Sequence, residues 1–325
     1  MSHPAPLLAV LALGGCACQA HHPCEDAVPP RADAIPSDVV KGAPGNDPFV
    51  PVMLSTDFED PVPLGAPVTT AGAEDSPFFT PDGNDLFFFF APDARVPAQQ
   101  QLQDCTVGIW HSSIDAAGAL SEPERLLLGT DVSLDGCPTF ANGELSFCSA
   151  RVGNINEIDL YAAPYAGATV GEVRNVEEIN RDQTIGEWHF SPDGTTMWFG
   201  AALADSKGGM DLYELTKDGE GWGEPVNLGD VNGEGDEGFP WVSADGAEMY
   251  FHRNSASGGT GPAIWRSRRD VDGRFGVAEE IVYNFAGEAN VDAAGNLVFV
   301  HHYMTPPADG PIQIREADLM IARRR

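Results

Sequence analysis

The feature that most constrains the fold is a unit that recurs five times along the chain. Each copy contains an acidic residue, a short apolar strand, a turn with a glycine and a second apolar strand. The turn glycines are spaced by 60, 51, 52 and 49 residues, at Gly83, Gly143, Gly194, Gly246 and Gly295. Such periods are typical of four-stranded β-propeller blades. The 36 Gly and 26 Pro argue against long helices, so the sequence predicts an all-β chain.

A third strand follows in every copy, and a fourth strand follows in the first four. The predicted third strands cover residues 107–110, 158–161, 210–213, 263–265 and 317–320. The fifth copy has no fourth strand, whereas residues 62–68 precede the first copy and have the pattern of one. Since an open sheet edge invites aggregation, we expect this segment to complete the last blade, with Leu64 beside Leu319. The prediction is one five-bladed propeller over residues 61–325, with blades of four antiparallel strands starting near residues 76, 137, 188, 239 and 289.

Three motifs carry a family resemblance. Phe-Ser-Pro-Asp-Gly stands at residues 190–194, Gly-Gly-Met-Asp-Leu-Tyr at 208–213, and Gly-Trp-Gly-Glu-Pro-Val-Asn-Leu-Gly at 221–229. Together they resemble the TolB-like, WD-type β-propeller repeats of bacterial envelope proteins. The similarity covers about 265 residues and is weakest in the fifth copy, where the turn reads Ala294-Gly295. The resemblance implies the fold and an envelope location more directly than any activity.

The charge balance limits the classes of partner. There are 49 Asp and Glu residues against 18 Lys and Arg, for a net charge of −31. A surface this anionic repels nucleic-acid backbones and anionic lipids and attracts cations or basic partners. We therefore expect no nucleic-acid binding. Solubility, or adaptation to a salty environment, is the simpler explanation of the charge.

The N-terminus resembles an export signal. Residues 6–15 form an apolar run of ten residues, too short to span a bilayer, and Leu13-Gly14-Gly15-Cys16 resembles a bacterial lipobox. The usual basic residues are missing before the run. We expect residues 1–15 to be a signal peptide, Cys16 to be lipidated, and residues 16–60 to be a flexible Pro- and Asp-rich tether. An ordinary cleaved signal is the alternative. With Cys16 lipidated, the protein would be anchored to a membrane, in the periplasm or at the cell surface.

The remaining cysteines predict a disulfide. Asn142-Gly143 has the sequence of a two-residue type I′ turn, and that register places Cys137 opposite Cys148. Directly opposed cysteines lie within the distance that a disulfide tolerates. The alternatives are a bond from Cys105 to either of them, or free buried thiols. Cys18 and Cys24 could also pair with each other.

Acidic residues precede the first strand of every copy, and most histidines lie near the same strand ends. In an antiparallel blade, the loop that leads into the first strand and the loop between the second and third strands share one rim. We therefore expect these side chains to ring one mouth of a central channel, where they could hold a divalent cation or a cationic ligand. The candidate set is Glu74, with Asp75 beside it, Asp135, Glu187, His189, Asp236, Glu237, His252, Glu288, His301 and His302. Capping of loop amides is the competing role for the carboxylates.

No catalytic motif is recognisable, and we assign no catalytic residue and no obligatory cofactor. We expect a monomeric binding module that engages an envelope protein or a polysaccharide through one propeller face. The alternative is a carbohydrate-active hydrolase or lyase that uses carboxylates at the channel mouth. A pair such as Glu187 and Glu237 would need a separation of about 5–10 Å for that chemistry.

Overall fold

The computed structural model describes residues 22–97, 100–101, 105–167, 169–181, 187–219 and 221–325. The expected signal peptide, Cys16 and Cys18 lie outside these residues. The helices are single turns, namely α1 (Arg31–Ala34), α2 (Glu177–Asn180) and the 3₁₀ turns Pro44–Asn46, Gly229–Val231 and Pro307–Asp309. None of the described helices is long and apolar enough to cross a bilayer.

Most described strands pair into five antiparallel sets, which we call units one to five. Unit one contains β3 (Ala73–Phe79), β4 (Asp85–Ala91), β5 (Gly108–Ser113) and β6 (Glu124–Arg125). Unit two contains β7 (Leu134–Ala141), β8 (Glu144–Ala150), β9 (Asp159–Ala166) and, in fourth place, β10 (Thr169–Val170) and β11 (Arg174–Asn175). Unit three contains β12 (Trp188–Phe190), β13 (Thr196–Ala201), β14 (Asp211–Asp218), β15 (Gly221–Trp222) and β16 (Val226–Asn227).

The last two units take strands from both ends of the described chain. Unit four contains β17 (Gly238–Val242), β18 (Glu248–Asn254), β19 (Pro262–Arg268) and β20 (Glu279–Tyr283), with β1 (Val52–Met53) outside β20. Unit five contains β21 (Ala286–Val291), β22 (Leu297–Met304), β23 (Ile314–Ala322) and β2 (Val62–Pro63). The predicted closure is therefore confirmed: Val62 lies opposite Ile321, and the Leu64 N–H donates to the Leu319 carbonyl at 2.8 Å.

The first strand of each unit contacts the first strands of the two neighbouring units. The contacts run from β3 to β7, β12, β17 and β21 and return to β3. The hydrophobic clusters lie between adjacent units, so both faces of each sheet are covered. In β4, for example, Leu86 and Phe88 pack toward unit five, whereas Phe87 packs toward unit two. Because successive residues of a strand point to opposite faces, a run of aromatic residues is what two buried faces require.

The turn glycines behave as the sequence predicts. Asn142 and Gly143 both have positive φ, 51° and 79°, as a two-residue type I′ hairpin needs. The glycines at the corresponding turns of the other four units also have φ between 68° and 84°. A side chain at these positions would be strained, because the left-handed region brings Cβ close to the backbone.

Residues 22–60, which we call the N-terminal strap, differ from the predicted flexible tether. Cys24 is disulfide-bonded to Cys105 in unit one, and β1 pairs with β20 in unit four. Phe58 is fully buried and its backbone forms a bridge with Arg324. The composition of the strap indicated a solvated chain, but a few anchoring residues are enough to fix it against the sheets.

Charged side chains hold the strap in place as well. Arg31 is buried and donates to Glu74, while Lys41 reaches the buried carboxylates of Glu316 and Asp318. Asp47 contacts the ring of the buried His301, which lies in unit five. The strap thus supplies cations to buried carboxylates of units one and five.

Candidate functional site

A bulge recurs at one position in the first strand of units one, two, four and five. The register shifts there, between Asp75 and Phe78 in unit one and at the equivalent places of the other three units. The bulged residues have φ of 47–52° although none is a glycine, and they are Ser76, Cys137, Phe239 and Glu288. Such conformations cost about 1–3 kcal/mol each and often accompany functional sites. In unit three, Glu187 immediately precedes β12 and occupies the equivalent position.

These five residues line a cavity to which every unit contributes its first strand, which we call the axial cavity. Its volume is about 40 Å³, room for a few water molecules or a small charged group. The bulge is what turns side chains of different units toward this space. A proline follows the bulged residue in three units, and the recurrence of Pro77, Pro138 and Pro240 is the sequence signal that could have predicted it.

Three of the predicted rim carboxylates have arginine partners and do not face the axial cavity. Each lies two residues before the bulge and is buried. The pairs are Glu74 with Arg31 at 3.1 Å, Asp135 with Arg151 at 2.7 Å, and Glu237 with Arg253 at 2.6 Å. These ion pairs are structural, so the prediction that all the acids share one ligand-binding mouth is wrong for them.

Asp236 has a third role. It is exposed, and its Oδ1 accepts the Met210 N–H at 2.9 Å, which fixes a loop of unit three. This is the amide-capping role that competed with ligand binding in the sequence.

Glu187, Glu288 and Asp75 form the group of carboxylates that remains near the axial cavity. Glu288 accepts the Ser76 N–H at 2.9 Å, and the Asp75 carboxyl accepts the same N–H at 2.9 Å, so the two carboxyl groups lie close together. Glu187 Oε1 lies 3.6 Å from the Cys137 sulfur. Among the described residues, neither glutamate has an ion pair with Lys or Arg.

Burial without a Lys or Arg partner shifts the pKa values of Glu187 and Glu288 strongly. Desolvation, with a smaller repulsion from Asp75, raises the pKa of Glu187 well above its usual value. Burial also raises the pKa of Glu288, with repulsion from Asp75 and Glu187 adding to the effect. A positive charge placed between these groups would restore their ionised forms, because an opposite charge favours the charged state. The predicted ligand set named Glu74 with Asp75 beside it. The two neighbours point in opposite directions along β3, and only Asp75 belongs to this group.

The histidines do not converge on one point. His189 is buried between Trp198 and Trp241, and its Nδ1 accepts the Val242 N–H at 3.1 Å. Burial lowers the pKa of His189 to about 3. His252 packs on Phe239 with ring centroids 4.4 Å apart, and burial lowers its pKa to about 4. Both rings are therefore neutral near pH 7.

The last two histidines differ from each other. His301 Nε2 lies 2.8 Å from Asp47 Oδ2 of the strap, so this ring is part of the strap contact. Burial lowers the pKa of His302, although the charge of Asp75 opposes that shift. Across the part of the chain that the structure describes, no group of three or more His, Cys, Asp or Glu residues is arranged to hold a metal ion.

A larger pocket adjoins the axial cavity on the side of units two and three, and we call it the side pocket. It has a volume of about 540 Å³ and shares Glu187, Trp188 and Phe239 with the axial cavity. Its lining also includes Ile158 and the Cys137–Cys148 disulfide. Residues from the loop before β9 and from the start of β12 thus share one rim, as antiparallel blade topology predicts.

Two disulfides lie on or near this side of the molecule. The predicted Cys137–Cys148 bond is present with a Cα–Cα distance of 5.4 Å, but the bulge places Gly136, and not Cys137, directly opposite Cys148. Cys105 pairs with Cys24, so the alternative pairings of Cys105 and of Cys24 are wrong. Two disulfides indicate a protein that folds in an oxidising compartment outside the cytosol.

Comparisons with known proteins give a fold likeness at low similarity. No protein-family model matches the chain, and no curated protein sequence matches it. Among solved structures, TolB from Acinetobacter baumannii is 15% identical with a TM-score of 0.43; the alignment covers 78% of this chain and 55% of that one.

Two further solved structures are enzymes by name. The endo-arabinase from Bacteroides thetaiotaomicron is 12% identical over 82% of this chain and 97% of its own, with a TM-score of 0.43. The periplasmic gluconolactonase of Pseudomonas aeruginosa is 15% identical over 74% of this chain and 70% of its own, with a TM-score of 0.35. At these scores, no ligand and no activity carries over from any of the three to this chain.

Proposed function

We propose that this chain is an exported five-bladed β-propeller that acts as a binding module and engages a positively charged group of its partner at the axial cavity. The observation that carries the proposal is a contrast between two groups of carboxylates, one with arginine partners and one without. Glu74, Asp135 and Glu237 are each paired with an arginine, whereas Glu187 and Glu288 have no ion pair with any Lys or Arg that the structure describes. A partner that supplies the missing charge would relieve a cost that the free protein bears.

The small volume of the axial cavity favours binding over hydrolysis. A ligand pocket for a drug-sized molecule has about 300–1,000 Å³, far more than the 40 Å³ of this cavity. An ammonium or guanidinium group on a side chain of a partner protein is small enough to enter. We therefore propose an envelope protein with a basic surface as the partner, with a basic polysaccharide as the other class that fits.

The hydrolase alternative has one observation in its favour, the raised pKa of Glu187 and Glu288, since a general acid needs such a shift. The pair considered from the sequence, Glu187 with Glu237, does not serve, because Glu237 is fully buried and bound to Arg253. A hydrolase of this kind would lose its activity on glycan substrates in Glu187→Gln, whereas a binding module shows no such activity to lose.

Lipid attachment at Cys16 completes the proposal. Cys16 lies eight positions before Cys24, which is fixed to unit one by its disulfide. Fully extended, eight residues reach about 28 Å, so the anchor would hold the propeller close to the membrane. The 45-residue tether that the sequence suggested would reach much farther, and the disulfide removes most of that length.

The test is capture of envelope proteins after chemical crosslinking, with the wild type and the triple variant Asp75→Asn, Glu187→Gln and Glu288→Gln. We expect the wild type to capture a defined partner through a basic segment and the triple variant to lose it. A matched control replaces three exposed carboxylates elsewhere, Asp218→Asn, Glu224→Gln and Asp272→Asn, and has the same formal net charge as the triple variant.

The control separates local recognition from general attraction to an acidic protein. If both triple variants capture the partner as well as the wild type does, the axial carboxylates are not the site. If both lose it equally, the attraction depends on net charge alone and the proposal is also wrong.

A further inference from the structure

The side pocket has the size and the lining of a small-molecule site. Its volume of about 540 Å³ lies in the middle of the range for such pockets. The Ile158 side chain contributes to the lining although 53% of its surface is exposed, and the Cys137–Cys148 disulfide and Phe239 add further apolar surface. Apolar walls with a few polar groups are typical of pockets that bind organic ligands.

One polar group in this lining is inaccessible to a ligand. The Trp188 indole Nε1–H has no hydrogen-bond acceptor among the described residues, but the atom has less than 1 Å² of accessible surface, so a molecule in the side pocket does not reach it.

A second polar group provides a charge. Glu187, next to Trp188 in the chain, lines the same pocket and has no ion pair with any described Lys or Arg residue. Glu157 and Asp159 also belong to the lining, so the pocket is acidic and disfavours a ligand that carries a free carboxylate.

We propose that the side pocket binds an amino-acid-sized primary amine that carries an apolar side chain and no carboxylate. The ammonium group pairs with Glu187, and the side chain packs on Ile158 and the disulfide. This proposal rests on the proposed function in one respect, since both use Glu187 as a receptor for positive charge.

The probe that tests it is L-phenylalaninamide, with N-acetyl-L-phenylalaninamide as the matched compound that lacks the ammonium group. We expect calorimetric titration to show saturable binding of the first compound and at least about tenfold weaker binding of the second, because the charge-assisted hydrogen bond is lost. L-alaninamide should bind more weakly than L-phenylalaninamide, since it buries less apolar surface. Free L-phenylalanine should also bind more weakly, because its carboxylate is repelled.

Variants assign the contacts. Glu187→Gln should weaken the binding of L-phenylalaninamide by at least about tenfold. Glu224→Gln, an exposed carboxylate elsewhere, should bind the amide as the wild type does. Thermal unfolding checks that Glu187→Gln keeps an intact fold.

Ile158→Trp separates this inference from the proposed function. The larger side chain fills the side pocket and leaves Asp75, Glu187 and Glu288 unchanged, so it should abolish amide binding while partner capture at the axial cavity continues. The inference is overturned if the wild type does not bind L-phenylalaninamide at millimolar concentration, if the acetylated compound binds equally well, or if Glu187→Gln leaves the affinity unchanged.

Discussion

Units two and four supply the counter-charges of their own buried carboxylates, whereas units one and five take theirs from the N-terminal strap. Asp135 pairs with Arg151 and Glu237 with Arg253, within one unit in both cases. Glu74 in unit one depends instead on Arg31. The difference shows that the strap replaces interactions that the interior units make internally, and that it belongs to the folded body.

Unit five shows why a replacement is needed. In unit two, Asp159 at the start of the third strand accepts the Asn175 side-chain amide of the fourth strand at 2.7 Å. Unit three repeats this contact at 2.8 Å with Asp211 and Asn227. The equivalent of Asn175 in unit five is Pro63, which has no side-chain donor, and Asp318 is bound by Lys41 of the strap. The fourth strand of unit five, β2, comes from the N-terminal part of the chain, and Lys41, the cation that pairs with Asp318, comes from the same part.

The largest expected effect on stability comes from removing the disulfide that fixes the strap to unit one. Cys24→Ser with Cys105→Ser removes a disulfide that spans 81 residues, for which chain entropy gives a loss of about 4.5 kcal/mol. Cys137→Ser with Cys148→Ser opens a loop of only 11 residues, with an expected loss of about 3 kcal/mol. Denaturant unfolding of the two double variants measures both. An equal or smaller loss for the strap disulfide would contradict the structural role of the strap.

The second effect is the loss of a buried cation from the strap. Arg31→Met leaves Glu74 buried without its partner, and such losses typically destabilise a protein by about 3–4 kcal/mol. Arg174→Met is the control, because its pair with Glu144 is exposed and should contribute about 0–1 kcal/mol. Chemical denaturation at pH 7 compares the two. Similar midpoints for both variants would show that the strap arginine is dispensable.

A smaller effect is expected at Lys41, whose side chain is 38% exposed and therefore partly screened by solvent. Lys41→Met should cost about 2 kcal/mol near neutral pH. Burial raises the pKa of Glu316 to about 8 even with Lys41 present. Because the folded state then holds a proton that the unfolded state releases near pH 4.5, stability falls as pH rises toward 8, and the variant should fall more steeply. Melting temperatures at pH 5 and pH 8 measure this. A penalty that does not grow with pH would argue against the Lys41 contact.

The smallest expected effect on stability concerns Glu187 at the axial cavity, which has no ion pair with a described Lys or Arg residue. The raised pKa of Glu187 implies that ionising it destabilises the folded state at pH values above about 4.5. Glu187→Gln should therefore gain stability over the wild type at pH 8, by about 1.4 kcal/mol for each unit of pKa shift, and gain nothing at pH 4. Glu224→Gln should be neutral at both values. A loss of stability in Glu187→Gln at pH 8 would mean that its carboxylate is already compensated.

The repeats made the sheets and their closure predictable, because turn glycines and apolar strands follow local rules. The pairing of Leu64 with Leu319 followed from counting strands. The strap was not predictable, since its contacts depend on single residues such as Arg31 and Phe58 within a segment whose composition is that of a linker.

The candidate site was predicted in part. Glu187 and Glu288 line the axial cavity, whereas Glu74, predicted for the same rim together with Asp75, is paired with Arg31. Strand periodicity alone does not show which carboxylates have an arginine partner. The arginines that neutralise Asp135 and Glu237 lie on or directly after the neighbouring strand, and single-sequence reasoning does not identify such partners.

The most direct test of the account is a titration of the glutamate side-chain carboxyl carbons by NMR, with Glu187→Gln and Glu288→Gln to assign the two signals. We predict that Glu187 and Glu288 titrate well above pH 4.5 in the free protein and shift to lower pH when a cationic ligand binds. Two signals that titrate near pH 4.5, unaffected by any cation, would contradict the claim that the axial cavity holds uncompensated carboxylates.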